Sequence, residues 1–354
     1  MFIQRIICIA AAAGALFLME GCAHVAVPET DDSQGAIGFV PGAMLLNDDA
    51  GTKAAVFKEG DFQDDDIIAV FGRHHGINDP TDIFVNTPVQ KKGKDYWVYS
   101  PLKHWNWLSE GDYYDFLSVY PSGRGTARMD IPGNLAILTH YDLNDNYDLM
   151  YALHRRHYSR VDEPVPLAFH HTLSAVRVVF ENDSNDQDIT IDSYEFNHMV
   201  ISADAKATMD GIGNPEITWI DAIHSANAIR LETPGALLKG QKYSGEQHSY
   251  TGPFDFFIPT ALDATSNGSS DESQMPHLHI CYTPYGQSQR EANILLKSIS
   301  RNPLNGDHTP VEVWEPGVRY TYNINIRMDG GVQIIVVTTE WDIIHSETPG
   351  VMID

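Results

Sequence analysis

The sequence predicts an all-β protein built of two β-sandwich domains in tandem. Three observations lead there. Short β-branched and aromatic runs recur between turn residues along the chain. Tyr320 to Met328 alternates apolar and polar residues, the period that sets one strand face on a core and the other in water. No stretch carries apolar residues at i, i+3, i+4 and i+7 over three capped turns, so little helix is expected.

The opening segment stands outside this pattern. Gln4-Arg5 precedes an apolar run, Ile6 to Met19, and then Glu20-Gly21-Cys22. One positive charge, a short apolar core and a small residue before a cysteine describe a secretory signal ending in a lipidation site. The run has 14 residues, short of the ~18–20 that span a bilayer as a helix. Residues 1–21 are therefore read as a cleaved signal, cut between Gly21 and Cys22. Cys22 is then the acylated first residue of a mature chain held at a bacterial membrane, outside the cytoplasm. Glu20 departs from the small residues preferred there, and a plain secretory signal with an incidental cysteine is the alternative. Residues 22–35 are polar, acidic and aperiodic, and read as a tether.

The N-terminal domain is expected over residues 36–160. Ile67 to Phe71 follows the turn-like Glu59-Gly60-Asp61. Asp95 to Tyr99 is aromatic and β-branched, and Tyr113 to Tyr120 stops at Pro121. Each has the composition of a strand bounded by punctuation. Asp148 to Arg156 is the segment with room for a short helix. Val161-Asp162-Glu163-Pro164 reads as a joint, so the C-terminal domain is expected over residues 161–354. Pro164 and Pro166 bracket the start of a strand, Leu167 to His171, where proline is tolerated. Ser174 to Phe180 sets Val176, Val178 and Phe180 on one face, before a polar turn from Asn182 to Asp188. Ser266 to Ser273 is an exposed loop. After Tyr320 to Met328 comes Asp329-Gly330-Gly331, a hairpin turn with glycine where positive φ is required, and Val332 to Thr339 returns as its partner.

A chain of 354 residues with 43% hydrophobic content can bury a real core. Its net charge is −25, and loss of residues 1–21 removes Arg5 and Glu20 together, leaving that value unchanged. Such a surface repels phosphate backbones, which excludes nucleic acid as a partner. It equally opposes adhesion to anionic lipid through a basic face. Of three cysteines, Cys8 leaves with the signal and Cys22 is acylated, so Cys281 stands alone and no disulfide framework forms. Cys281 is read as a small core-facing thiol.

Sixteen histidines invite a search for metal ligands. His277 and His279 on a strand share a face and make a usable zinc pair, but no third ligand lies at a telling offset. An exposed pair without metal is expected. His74-His75 and His170-His171 are neighbours that point to opposite faces. His154 and His157 flank Arg155 and Arg156, which oppose a cation. Asp142, Asn144, Asn146 and Asp148 alternate like the start of a calcium loop. Tyr147 stands at its glycine position, however, and Leu153 at its bidentate glutamate. There is no G-x-S-x-G, no H-E-x-x-H and no Gly-rich phosphate loop. No catalytic residue, cofactor or metal is therefore expected. Trp97, Tyr99, Trp105, Trp107, Tyr113 and Tyr114 are either a surface that stacks on sugars or, for Trp97 and Trp105 above all, core.

Four stretches, in order, carry a family resemblance. Thr52-Lys53-Ala54, Phe57 and Gly60-Asp61 lead into Ile67 to Phe71. Tyr96 to Trp107 is followed by Phe116 to Pro121. Asp148 to Ala152 precedes Leu167, Phe169, His171, Leu173 and Val176. Trp314-Glu315-Pro316-Gly317 precedes Tyr320, Tyr322 and the last hairpin to Trp341. Together they resemble the fimbrillin and fimbrillin-like lipoproteins of Bacteroides-type bacteria, the subunits of type V pili. The resemblance implies two transthyretin-like Greek-key β-sandwiches, a lipid anchor in the outer membrane, and assembly with other pilus subunits by strand addition. A host protein or glycan is a further partner it allows. The runner-up reading is a surface lipoprotein that binds glycans without polymerising.

In the family's major subunits a trypsin-like protease cuts after an arginine near the end of the first strand, opening a groove for a neighbour's strand. This chain has no arginine between Cys22 and Arg73. The matching site is Lys53, before Ala54. The displaceable strand is placed near Ile37 to Phe39, and residues after Trp341 are the candidate donor. Phe62 to Asp66 departs from the family's spacing.

Overall fold

The computed structural model describes residues 35–43, 62–76, 80–92, 96–107, 109–123, 128–130, 136–158, 163–209, 215–225, 227–263, 265, 270–300, 309–327 and 332–340. Among these residues the regular structure is strand, with a few short 3-10 turns and no α-helix.

In chain order, β1 (Phe39–Ala43), β2 (Ile67–His75), β3 (Thr81–Lys91), β4 (Trp97–Val98) and β5 (Tyr113–Tyr120) lie in a first sheet. β6 (Arg128–Asp130) and β7 (Ala136–Asp142) leave it for a second. β8 (Met150–His157) and β9 (Val165–His171) return, giving the first sheet the order β1-β9-β8-β5-β2-β3-β4. β10 (Ser174–Asn182) starts a third sheet and β11 (Ile189–Asn197) a fourth. β12 (Val200–Met209) and β13 (Pro215–His224) go back to the second, ordered β13-β12-β7-β6. β14 (Ala228–Glu232) and β15 (Ala236–Leu238) pair with β11, while β16 (Ser249–Thr251) and β17 (Asp255–Phe257) pair with β10. β18 (Thr260–Ala261) waits for β21 (Val313–Trp314). β19 (His277–Pro284) and β20 (Arg290–Leu295) fill the fourth sheet, and β22 (Val318–Ile326) and β23 (Val332–Glu340) complete the third.

The cores show how the sheets stack. One face of the first sheet (Ala69, Phe71, Leu117, Val119, Tyr151) packs on Ile137, Tyr141, Ala203, Ala205 and Ala207 of the second. Its other face (Ile68, Val70, Phe84, Phe116, Leu167) is covered by Tyr99, Trp105 and Trp107 from the β4–β5 connection. Burial on both faces is why β2 and β5 are buried along nearly their whole length rather than at alternate positions. The third and fourth sheets form the second sandwich. Val176, Val178 and Phe180 of β10 and Tyr320, Tyr322, Ile324 and Ile326 of β22 meet Ile191, Phe196, Leu278 and Ile280 between them. The alternation read in Tyr320–Ile326 is the observed burial pattern.

Two expectations change and a third, the exposed loop, gains detail at its end. Asp148 to Arg156 holds no helix: β8 is hydrogen-bonded to β5 on one side and β9 on the other. Two open strand edges outweigh the modest helix propensity of Leu, Met, Ala and Arg there. A cut at residue 161 would pass between β8 and β9, which are paired neighbours. The first sandwich also takes β12 and β13 from beyond that point, so the two sandwiches do not divide the chain there. Finally, the loop expected from Ser266 to Ser273 ends in a 3-10 turn, Glu272–Gln274, capped by the Asp271 carboxylate on Ser273 N.

The Phe62 to Asp66 segment acquires a role. Phe62 is buried, with its ring edge-on to Trp97, Tyr120 and Phe169. Asp65, at φ 72°, and Asp66 turn the chain into β2, while Lys91 Nζ donates to Phe62 O at 2.6 Å. Gly72 sits at a bulge in β2 because a Cβ there would lie 2.8 Å from the Phe84 ring.

Candidate functional site

The first described segment of the chain fills a slot. Residues 35–41 alternate outward and inward, and Ile37, Phe39 and Pro41 are buried. The Phe39 ring meets Phe84, Tyr99 and Phe116 edge-on at 5.2–5.8 Å between centroids. Burying Ile37 and Phe39 contributes about 1.5–3 kcal/mol each.

Backbone bonds hold the segment on both sides. Ile37 N donates to Lys103 O and Trp105 N donates to Gly35 O, each at 2.8 Å. From Phe39 onward the chain pairs with β9, in the register Phe39↔Val165 to Ala43↔Phe169. This pairing is parallel, whereas every other neighbour pair in that sheet is antiparallel. A parallel ladder is slightly weaker per residue, and β1 lies at the sheet edge. Tyr99 completes the clasp by donating its hydroxyl to Ile37 O at 2.7 Å. Burial pushes the Tyr99 phenol up to about 12, against the lowering by its Lys103 backbone bond, so it keeps its proton at neutral pH.

An edge segment with two buried anchors at alternate positions and a short backbone ladder has the features on which strand addition relies. The strand placed near Ile37 to Phe39 corresponds in position to this segment, whose paired part runs Phe39–Ala43. Gly21, Cys22, Lys53, Ala54 and the segment from Trp341 onward lie outside the described residues. β23, which leads to that last segment, is itself an edge strand paired with β22.

Arg73 was expected to follow the strand that ends at Phe71. It lies inside β2 instead, buried, with Nε 2.6 Å from Asp82 Oδ1. Its peptide is held between β3 and β5 and presents no extended loop to a protease. Beside it, His74 is buried against Asp112 and stacked on Tyr114, while His75 lies 3.1 Å from Asp115 and stacks on Tyr113. The two histidines serve opposite faces, as adjacent strand residues must.

The other constellations resolve locally. The Asp142–Asp148 stretch does not converge on a cation. Asp142 caps Asn144 N, Asn146 accepts from Phe256 N and Arg230, and Asp148 pairs with His171 at 2.8 Å. The Arg230 guanidinium reaches into this loop and donates to Leu143 O. Trp97 and Tyr114 are buried. Trp105 and Trp107 stack on each other, 5.2 Å apart, and both pack edge-on against Tyr114. The Tyr113 ring is engaged by His75 and Arg155. These rings are committed to one another rather than laid out as a platform for sugar. His277 and His279 do share the outer face of β19. Cys281, expected in the core, lies on that same face, half-buried. His154 and His157 are three apart on a strand and face opposite ways.

Comparison with known proteins places the chain. No functionally curated protein matches it. Solved structures similar to it include a candidate cell adhesion protein from Bacteroides uniformis, at TM-score 0.48 and 13% identity, covering 87% of this chain and 99% of that one. A fimbrial protein from Bacteroides vulgatus aligns at TM-score 0.47 and 12% identity, covering 86% and 99%. A fimbrilin from Porphyromonas gingivalis aligns at TM-score 0.44 and 10% identity, covering 86% and 97%. The model of one family, described as fimbrillin-like, matches residues 52–341, most of the sequence. The chain belongs to the fimbrillin-like family.

Proposed function

We propose that this protein is a pilus-associated structural subunit, not an enzyme, tethered to the outer membrane through acylated Cys22 and joined to other subunits by strand exchange. One observation carries the exchange step: the segment 35–43 occupies an edge slot through Ile37 and Phe39, held by a parallel ladder with β9 from Phe39 on and by a short antiparallel bridge to residues 103–105 before it. Family membership and the Gly21-Cys22 motif support the rest. Cleavage after Lys53 severs this segment from the strands that follow, which leaves it held by noncovalent contacts alone. An incoming strand that places two large apolar residues at the Ile37 and Phe39 positions then replaces it. The candidate donor is the segment following β23, from Trp341 on. The uncut, acylated form keeps its own strand in place and serves as an anchor or accessory subunit.

The test is the N-terminus of protein recovered from cell-surface material, read by mass spectrometry beside its mobility on a gel without boiling. Polymer bands whose subunits begin at Ala54 support exchange, and a monomer band beginning at acylated Cys22 supports the anchor form. Polymers whose subunits all retain residues 35–43 in the same chain contradict the exchange step. An N-terminus before Cys22, or an unmodified Cys22, contradicts the lipid anchor.

A further inference from the structure

The outer face of the second sandwich gathers donors that the sequence scatters. β19 turns Leu278, Ile280 and Tyr282 into the core, which fixes His277, His279 and Cys281 outward. β11 lies on one side of it and β20 on the other, both antiparallel. In that register Glu195 stands directly opposite His279, and Glu291 directly opposite Cys281. His279 Nε2 lies 3.9 Å from Cys281 Sγ and 3.8 Å from Glu291 Oε2. One ligand atom each of His279, Cys281 and Glu291 lies within 4.8 Å of the others. On the far side of the ring, His279 Nδ1 is 3.2 Å from Glu195 Oε1.

We propose that His279, Cys281 and Glu291 form a Zn²⁺ site, with Glu195 as the residue that positions His279. The donor set selects the metal. One imidazole, one thiolate and one carboxylate suit a borderline ion, whereas Ca²⁺ and Mg²⁺ take oxygen ligands throughout. In a tetrahedral Zn²⁺ site, bond lengths of 2.0–2.3 Å put ligand atoms about 3.4–3.6 Å apart. The two spacings from His279 Nε2 shorten by a few tenths of an ångström to meet that, and the Cys281–Glu291 spacing, within 4.8 Å, closes by movement of the exposed Glu291 side chain. Glu195 accepts a hydrogen bond from the His279 Nδ1–H, which fixes the tautomer with the Nε2 lone pair aimed at the cluster. A carboxylate behind a ligating histidine is the arrangement that orients zinc-binding imidazoles. On binding, the Cys281 S–H gives up its proton to solvent as the Zn–S bond forms. The thiolate and the Glu291 carboxylate then neutralise the ion's two positive charges. Glu291 is 66% exposed, so the fourth position opens to water. An ordinary ion pair explains His279 between two glutamates, but not a thiol at the same ring nitrogen.

Co²⁺ is the probe, because a bound thiolate gives it a charge-transfer absorption and a tetrahedral site intensifies its visible bands. The full chain, reduced, is titrated with Co²⁺ and then with Zn²⁺. One equivalent is expected to give the thiolate band, and Zn²⁺ to bleach it. Cys281→Ser and His279→Ala are expected to remove the band, with Cys8 and Cys22 kept in every variant so that the difference reports on this site. Glu195→Gln is expected to weaken affinity 10–100-fold. Glu291→Gln, at an exposed position that leaves folding intact, is expected to weaken it at least 10-fold. No band in the wild-type chain, or a band of equal size in Cys281→Ser or His279→Ala, overturns the site.

Discussion

Asp115 lies in β5 with its carboxylate between Arg155 and His75. Arg155 grips it with Nε at 2.6 Å from Oδ1 and Nη2 at 2.9 Å from Oδ2, and His75 Nε2 is 3.1 Å away. Burial alone would raise its pKa. The hydrogen bonds and charges of His75 and Arg155 outweigh that and hold it below the ordinary carboxylate value of 3.8. The native state therefore binds this proton less readily than the unfolded chain. Its contribution is complete above 3.8 and is lost as pH falls through the lower, folded value. Asp115→Ala strands the Arg155 guanidinium and should cost about 3–5 kcal/mol at pH 7. A urea titration at pH 7 reads that loss, and repeating it below pH 4 should show a smaller difference between variant and wild type. Gly72 makes a steric prediction. A methyl group 2.8 Å from the Phe84 ring forces the aromatic layer to shift, so Gly72→Ala should destabilise by about 1–3 kcal/mol, measured the same way. Phe84 was visible in the sequence as an apolar residue, but its demand for a glycine opposite was not, because that contact joins β2 to β3 across a bulge.

At the scale of elements, what the sequence disclosed and what it hid divide along local and non-local lines. β5 runs from Tyr113 to Tyr120, the span its aromatic run and Pro121 indicated, and β22 shows the alternation read from Tyr320 onward. Both carry their instruction within themselves. β8 does not: its strand state is imposed by β5 and β9, over ladders that no local window contains. The interleaving of sheets is hidden for the same reason, since β7 pairs with β12 from far along the chain. The candidate site follows the same rule. His277 and His279 were legible as a pair, whereas Glu195 and Glu291 reach His279 only through the register of β11 and β20. Cys281 was misjudged because it was read as an isolated thiol, although the period of two that pairs His277 with His279 sets it on their face. β1 was placed near Ile37 to Phe39 through the family resemblance alone, and its parallel ladder and the Phe84–Tyr99–Phe116 pocket were not legible. That pocket makes a prediction for the element. Phe39→Ala removes the larger anchor, and such a truncation costs about 3–5 kcal/mol in a packed site. Amide exchange in 39–43 and 165–169 should accelerate strongly, while β10 and β22 keep their protection. Uniform acceleration across both sandwiches would show that β1 is bound into the global fold and is not a separable strand.

At the scale of the whole molecule, two sandwiches share one chain with a net charge of −25. That charge sets subunits apart at long range, so the association proposed above calls for a short-range device. Strand addition is such a device, because backbone ladders and apolar anchors act only at contact. Assembly by this route should strengthen with added salt, which screens the repulsion and leaves the ladder intact. The rate of polymer formation measured at low and moderate ionic strength checks this, and slowing by salt would point to ion pairs as the joint. The claim on which the account turns is that the slot of residues 35–43 accepts a strand from outside the chain. Its most direct test is a fluorescent peptide of residues 35–43, titrated into a chain that begins at Ala54. Saturable one-to-one binding, abolished when the peptide carries Phe39→Ala, is the result the account predicts. A chain beginning at Ala54 that is folded by near-ultraviolet circular dichroism yet binds neither peptide would contradict it.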